Sequence, residues 1–284
     1  MESENNNVIL VASDFTPIGE YAVDNAIAMA KLINYKICVL HVINQATKAA
    51  LKKENKSLEF IYDKLKEISN DIKQKHGIDC DYVAKEGSIF SAIAEVADTI
   101  GAAYLFIGTH GKKGIQMLLG SFALKVVKSS PVPIFVLQKM AEGIKYKDVV
   151  FPLDIAMGSK QKVKWAITLH KQFQSTFHIF CLNPGDAYMR NRLRADLNQV
   201  KRIMEKHNIP HTETFHNHKG PAFSKQVVNF AKEKNADFIM ISTDPDKISW
   251  SLWGSDDERI IYNQEKIPVM CINAQDLKVI IGGL

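Results

Sequence analysis

The sequence predicts an α/β fold made of two tandem, doubly wound domains, each built on a five-stranded parallel sheet. Two observations predict it. Short, almost wholly apolar runs alternate with longer amphipathic segments, as in parallel sheets that helices cover on both faces. The same order of segments then occurs a second time at a nearly constant offset, which indicates a duplicated domain.

The predicted strands of the first repeat are apolar runs, and the helices between them carry apolar residues at helical spacing. A long charged segment after the second strand has Leu58, Ile61 and Leu65 at such a spacing and is predicted to be helical. The strands are Val8–Ser13, Lys36–Ile43, Asp81–Ala84, Tyr104–Ile107 and Pro133–Leu137; the helices are Gly19–Ile33, Ala46–Lys75, Ile89–Ile100 and Phe122–Ser130.

The second repeat follows the first at an offset of roughly 135 residues. Gly220 follows Gly87 by 133 residues, and Gly254 follows Gly120 by 134. Asp154 ends its first strand as Asp14 does in the first repeat. We therefore expect domains at residues 1–140 and 146–276, followed by an apolar tail at residues 277–284.

The composition is that of a globular chain. The 284 residues are 46% hydrophobic and 24% charged, and 36 basic and 31 acidic residues leave a formal charge of +5. This excess is too small to indicate nucleic-acid binding. No apolar run is as long as a membrane span, and the polar start of the sequence is unlike a secretory signal. The four cysteines form no Cys-x2-Cys pair. We expect a cytoplasmic protein that binds neither nucleic acid nor a membrane.

A glycine-rich segment connects the predicted strand Tyr104–Ile107 to the helix that follows. It reads Gly-x2-Gly-x8-Gly-Ser, from Gly108 to Ser121. Glycines let the backbone approach an anion closely, and a helix N-terminus favours negative charge, so this segment suits phosphate. It matches neither the P-loop nor the dinucleotide fingerprint. A simple turn between strand and helix is the alternative interpretation.

Several motifs, taken in order, resemble those of the universal stress protein family across nearly the whole of both repeats. They are the strand that ends in Asp14-Phe-Thr, the Leu-His-Val-Ile of the second strand, the Gly-Thr-His-Gly segment that begins at Gly108, and the Gly-Ser pair before a helix. The usual pattern of the family has nine residues before that pair where this chain has eight. The resemblance implies the universal stress protein, or adenine nucleotide alpha hydrolase-like, fold.

The resemblance also implies an ATP site in the first repeat, with Mg²⁺ accompanying ATP. The base would lie near Asp14 and the end of strand two, and the phosphates would lie on the glycine-rich segment. Asp14 could instead cap the following helix. Carried over residue by residue, the implied binding residues are Asp14, Thr16, Val42, Gly108, Gly111, Gly120 and Ser121.

The second repeat has lost the glycine-rich segment. Ser242 and Pro245 stand where the first repeat has Gly108 and Gly111, and acidic residues follow Gly254. Proline removes a donor N–H, and nearby carboxylates repel phosphate. We expect this half to be a structural or partner-binding domain.

The expected function is that of an ATP-binding regulator of a stress response, acting through the first domain. No catalytic or metal-ligand set stands out in the sequence, so we expect at most slow ATP hydrolysis. The expected assembly is an intramolecular pseudo-dimer, with a homodimer of whole chains left open. The alternative is a dimerisation or partner-binding scaffold that binds no nucleotide.

Overall fold

The computed structural model of the chain describes residues 7–109, 124–138, 143–154, 160, 162–217, 219, 221–243 and 256–273. The chain divides into two compact units, Met1–Gly143 and Ile144–Leu284. The predicted tail at residues 277–284 lies outside the described residues.

The first unit contains a five-stranded sheet in the order β3-β2-β1-β4-β5, and every neighbouring pair of strands is parallel. The chain moves outward from β1 in one direction to β3 and in the other direction to β5, so the strand order reverses between β1 and β4. In open sheets of this kind, ligands bind beyond the carboxyl ends of the strands at that reversal. The strands are β1 Val8–Ala12, β2 Lys36–Ile43, β3 Cys80–Glu86, β4 Ala102–Gly108 and β5 Ile134–Leu137.

The helices of this unit lie in the connections between its strands. The α/β prediction is confirmed, although individual boundaries differ. The helices are α1 Pro17–Ile33, α2 Gln45–Lys53, α3 Glu59–His76, α4 Ile89–Thr99 and α5, residues 124–129.

Helix α1 begins two residues before the predicted start at Gly19. The Thr16 side chain caps it by accepting the Gly19 amide, and Pro17 occupies the first turn, where its missing N–H is not needed. Asn34 ends the helix in the left-handed conformation, with φ of 55°. Asp14, which could have capped this helix, does not do so.

The single helix predicted over Ala46–Lys75 is wrong. Two helices occupy this segment, α2 and α3, with a break over residues 54–58. Asn55 in the break has φ of 51°. Residues 52–57, which lie between Leu51 and Leu58, are all polar, so no apolar side chain supports a continuous helix across the break.

The second unit has the same strand arrangement, in the order β8-β7-β6-β9-β10, again with parallel neighbours. Ala12 pairs with Leu40 in the first unit and Pro152 pairs with Phe180 in the second, so equivalent strands share one register. The elements are β6 Asp148–Leu153, α6 Val163–Phe173, β7 Thr176–Asn183, α7 Ala187–Lys206, β8 His211–Asn217, α8 Phe223–Glu233, β9 Phe238–Thr243, α9 Asp256–Ile261 and β10 Val269–Asn273.

The central strands form the core of each unit. Residues of β1, β4 and β5 are almost entirely buried in the first unit, as are those of β6, β9 and β10 in the second. Within the described ranges, every helix is too short or too polar to cross a membrane.

Candidate functional site

A cavity of about 470 Å³ lies in the first unit. Its wall includes the ends of β1, β2 and β4, the first turn of α1, and one side of α2. Asp14, Thr16, Val42 and Gly108 all line it. Four of the seven predicted site residues therefore meet at one cavity, beside the point where the strand order reverses. Gly111, Gly120 and Ser121 lie outside the described residues.

The Asp14 carboxylate is held by a local turn. Its Oδ1 accepts the Thr16 amide at 3.1 Å and the Thr16 hydroxyl at 2.6 Å. The same Thr16 oxygen accepts the Gly19 amide at 3.2 Å. Asp14 is exposed, and a carboxylate oriented in this way can still accept hydrogen bonds from a ligand. Thr16 therefore supports both Asp14 and α1.

Gly19 lies directly behind this carboxylate. A β-carbon on Gly19 would be 2.6 Å from Asp14 Oδ1 and 3.2 Å from the Asp14 amide nitrogen. Only glycine leaves the carboxylate in its observed position. The sequence reasoning missed Gly19 as a site residue, although a glycine inside the first turn of an amphipathic helix is an unusual choice.

Val42 lines the cavity near the end of β2. Its carbonyl accepts the Thr47 hydroxyl at 3.2 Å. Asn44 caps α2 by accepting the Thr47 amide at 2.9 Å. These bonds fix the start of α2 beside β2, where Ala46 and Ala50 of that helix face the cavity.

Gly108 ends β4 where the strand meets the first turn of α1. A β-carbon on Gly108 would be 2.5 Å from the Ile18 carbonyl oxygen and 2.7 Å from Ile18 Cγ2. The glycine is therefore required by packing between β4 and α1. That requirement is separate from the phosphate contact for which Gly108 was predicted.

A stacked pair of rings, also missed from the sequence, lies beside Asp14. The rings of Phe15 and His41 are 4.4 Å apart between centroids and nearly parallel, with an angle of 6° between their planes. His41 Nδ1 lies 2.8 Å from the Ser13 carbonyl oxygen. Burial lowers the pKa of His41 below its usual range, so the ring is neutral near pH 7. The feature of the sequence that could have indicated this pair is a histidine inside an otherwise apolar strand.

The remaining cavity wall is largely apolar and includes Ile93, Ile107 and Val126. Asp14 and Glu54 are the charged side chains among the described lining residues. A hydrogen bond from Lys56, together with its charge, holds the pKa of Glu54 below its usual range. The described wall therefore offers apolar surface and hydrogen-bond acceptors, which suit a flat ring that carries amino or hydroxyl donors.

The equivalent region of the second unit contains a buried lysine. Lys162 is 1% exposed, donates to the Pro152 carbonyl, and has its ammonium 4.3 Å from the centroid of the Phe151 ring. Burial lowers the pKa of Lys162 to about 8, although the charges of Asp154 and Asp257 oppose the shift. Lys162 lies directly before α6, and the equivalent residue of the first unit is Ala22 in α1. The two units thus differ within their cores as well as in the glycine-rich segment.

Residues 5–138 match the model of the Universal stress protein family. The first unit of the chain therefore belongs to the universal stress protein family. A universal stress protein of Methanocaldococcus jannaschii is 28% identical over 139 residues, which are 46% of this chain and 81% of that protein.

Solved structures extend the likeness of fold to both units. A universal stress protein from Archaeoglobus fulgidus superposes with a TM-score of 0.73 at 17% identity, over 95% of this chain and 99% of the other. A functionally unknown protein from Pseudomonas aeruginosa gives a TM-score of 0.63 at 12% identity, over 97% of this chain and 95% of the other. At these identities the comparison shows the fold alone.

Proposed function

We propose that the first unit of this universal stress protein binds an adenine nucleotide, ATP, as a regulatory ligand in a stress response. The observation that carries the proposal is the cavity that brings Asp14, Val42 and Gly108 together at the carboxyl ends of β1, β2 and β4. Its volume of about 470 Å³ is in the range of small-molecule sites.

The nucleoside would occupy the described part of the cavity. Asp14 would accept a hydrogen bond from the adenine amino group or a ribose hydroxyl, and the apolar wall around Ile93 and Ile107 would pack against the base. The Val42 backbone would lie beside the base edge. This part of the site supplies orientation and specificity.

The phosphates would extend toward the glycine-rich segment. Gly111, Gly120 and Ser121 remain the predicted contacts there. Mg²⁺ would enter with ATP and be held mainly by phosphate oxygens and water. The role proposed for ATP is to favour one conformation or interaction of the protein over another, which requires no turnover.

The second unit would support the first or bind a partner. Ser242 replaces Gly108, and the buried Lys162 replaces Ala22, so we expect one nucleotide per chain. The intramolecular pseudo-dimer and the homodimer stay predictions. If no nucleotide binds, the alternative of a partner-binding scaffold applies.

Calorimetric titration of the full chain with ATP, ADP, AMP and cyclic AMP tests the proposal. Two matched variants sharpen it, Asp14→Asn in the first unit and Asp154→Asn at the equivalent position of the second. We expect Asp14→Asn to weaken ATP binding by about tenfold, because a charge-assisted hydrogen bond is replaced by a weaker neutral one. We expect Asp154→Asn to bind like the wild type. Binding of none of the four nucleotides, or equal effects of the two variants, would contradict the proposal.

A further inference from the structure

Both chain neighbours of Asp14 contact the same imidazole. Ser13, on one side, accepts a hydrogen bond from His41, and Phe15, on the other, stacks on the His41 ring. We infer that His41 is a positioning residue that orients the Asp14 carboxylate for its ligand. The inference rests on the proposed function, because Asp14 is the residue that we propose accepts a hydrogen bond from the nucleoside.

The contact with Ser13 defines the tautomer of the ring. A carbonyl oxygen only accepts, so Nδ1 carries the hydrogen and donates over 2.8 Å. The Ser13 amide in turn donates to the Leu40 carbonyl at 2.8 Å. Ser13 and His41 are 4% and 6% exposed, so water competes little for these bonds. The residue before Asp14 is thereby fixed to β2 through both of its backbone groups.

The contact with Phe15 supports an unfavourable backbone conformation. Phe15 has φ of 60°, in the left-handed region that a bulky side chain rarely adopts. Its amide donates to Ser13 Oγ at 3.2 Å, and its ring lies flat on the imidazole. Such strain persists where the surroundings over-determine it, and it is concentrated at binding sites. The residue after Asp14 is therefore also held by His41.

These contacts leave Asp14 little freedom before a ligand arrives. Its carboxylate is bonded to Thr16, and Gly19 leaves room for it on the side of α1. A site that is already ordered loses less conformational entropy on binding and therefore binds its ligand more tightly. The second unit has Cys181 at the position of His41, and a thiol can neither stack in this way nor reach as far.

The hydrogen bond to Ser13 can be isolated with two amides. Asparagine places its amide nitrogen three bonds from Cα, as histidine places Nδ1, whereas glutamine places its nitrogen one bond further away, near Nε2. His41 Nε2 has no hydrogen-bond partner among the described residues, so the Nδ1 bond is the one under test. The comparison of His41→Asn with His41→Gln therefore holds the chemical group constant and shifts only its reach.

We expect His41→Asn to bind ATP within about threefold of wild type and His41→Gln to bind about tenfold more weakly, because one buried hydrogen bond is worth about that factor. His216→Asn is the control, since that ring also lies against a phenylalanine, Phe180, with 4.6 Å between centroids and 30° between planes, but belongs to the second unit. It should leave ATP affinity unchanged. Equal affinities of the two His41 variants would overturn the inference.

A second readout needs no ligand. The amide of Phe15 bonds to Ser13 Oγ, and that of Thr16 bonds to Asp14 Oδ1. Both variants lose the ring stack, but only His41→Asn can keep the bond to Ser13. Hydrogen exchange of these two amides, followed by NMR, should therefore be at least severalfold faster in His41→Gln than in His41→Asn. Equal exchange in the two variants contradicts the positioning role even if the protein binds ATP. Faster exchange in His41→Gln than in His41→Asn supports it even if the wild type binds no nucleotide, in which case only the proposed function fails.

Discussion

Asp14 and Gly19 lie so close together that a β-carbon on the glycine would be 2.6 Å from the carboxylate oxygen Oδ1. The contact joins the loop after β1 to the first turn of α1. Because Gly19 has no β-carbon, the Asp14 carboxylate, which we propose binds the ligand, can keep its observed orientation.

The variant Gly19→Ala should weaken ATP binding by about tenfold without destabilising the protein. The carboxylate would have to turn away from the new methyl group, whereas alanine in a helix is favoured over glycine by about 1 kcal/mol. Calorimetry with ATP and thermal unfolding of the same sample separate the two effects. An unchanged affinity would show that this orientation of Asp14 does not matter for binding.

The variant Thr16→Ala should lower both stability and affinity. Thr16 caps α1 through the Gly19 amide and donates to Asp14 Oδ1 at 2.6 Å. Loss of an N-cap costs about 1 kcal/mol. Thr16→Ser keeps the hydroxyl and should restore both properties, as measured by urea unfolding and ATP titration. If the serine variant behaves like the alanine variant, the hydroxyl is not the group responsible.

The variant Gly108→Ala should destabilise the first unit by about 1–3 kcal/mol, because its methyl group would meet the Ile18 backbone, which cannot swing aside. Gly143→Ala is the matched control, since its β-carbon would lie 3.6 Å from Ala28 Cβ, an ordinary contact. Its stability should stay within about 0.5 kcal/mol of wild type. Urea unfolding of both variants checks the contrast, and equal stabilities would contradict the packing argument.

Removal of the buried ammonium by Lys162→Met should alter how stability depends on pH. In the folded protein the pKa of Lys162 is lowered from 10.5 to about 8. Between these values the unfolded chain binds more protons, so this residue makes the free energy of unfolding rise with pH. The rise from pH 8 to pH 10 should therefore be smaller in Lys162→Met than in wild type. Lys171→Met, an exposed position in α6, which begins directly after Lys162, should keep the wild-type slope.

The sequence was sufficient to predict the sheet of each unit because buried parallel strands appear as apolar runs. It was also sufficient to nominate Asp14, Val42 and Gly108, which meet at one cavity. The break between α2 and α3 was missed because apolar spacing after Leu58 was extended backward over polar residues that carry no such signal.

The supporting residues of the site could not be predicted because their roles depend on contacts between elements. His41 contacts Ser13 across the gap between β2 and β1, 28 residues away in the chain. Gly19 is required by a side chain five residues earlier, and Thr16 caps α1 in preference to Asp14 because Asp14 is turned toward Thr16. Spacing within one element contains none of this information.

Native mass spectrometry of the intact chain counts the ATP molecules bound to each chain and is therefore the decisive measurement of a site confined to the first unit. At an ATP concentration near the wild-type Kd, we expect at most one ATP per chain, a clearly smaller ATP-bound fraction in Asp14→Asn, and an unchanged fraction in Asp154→Asn. Two ATP molecules per chain, or an undiminished bound fraction in Asp14→Asn, would contradict the proposed function.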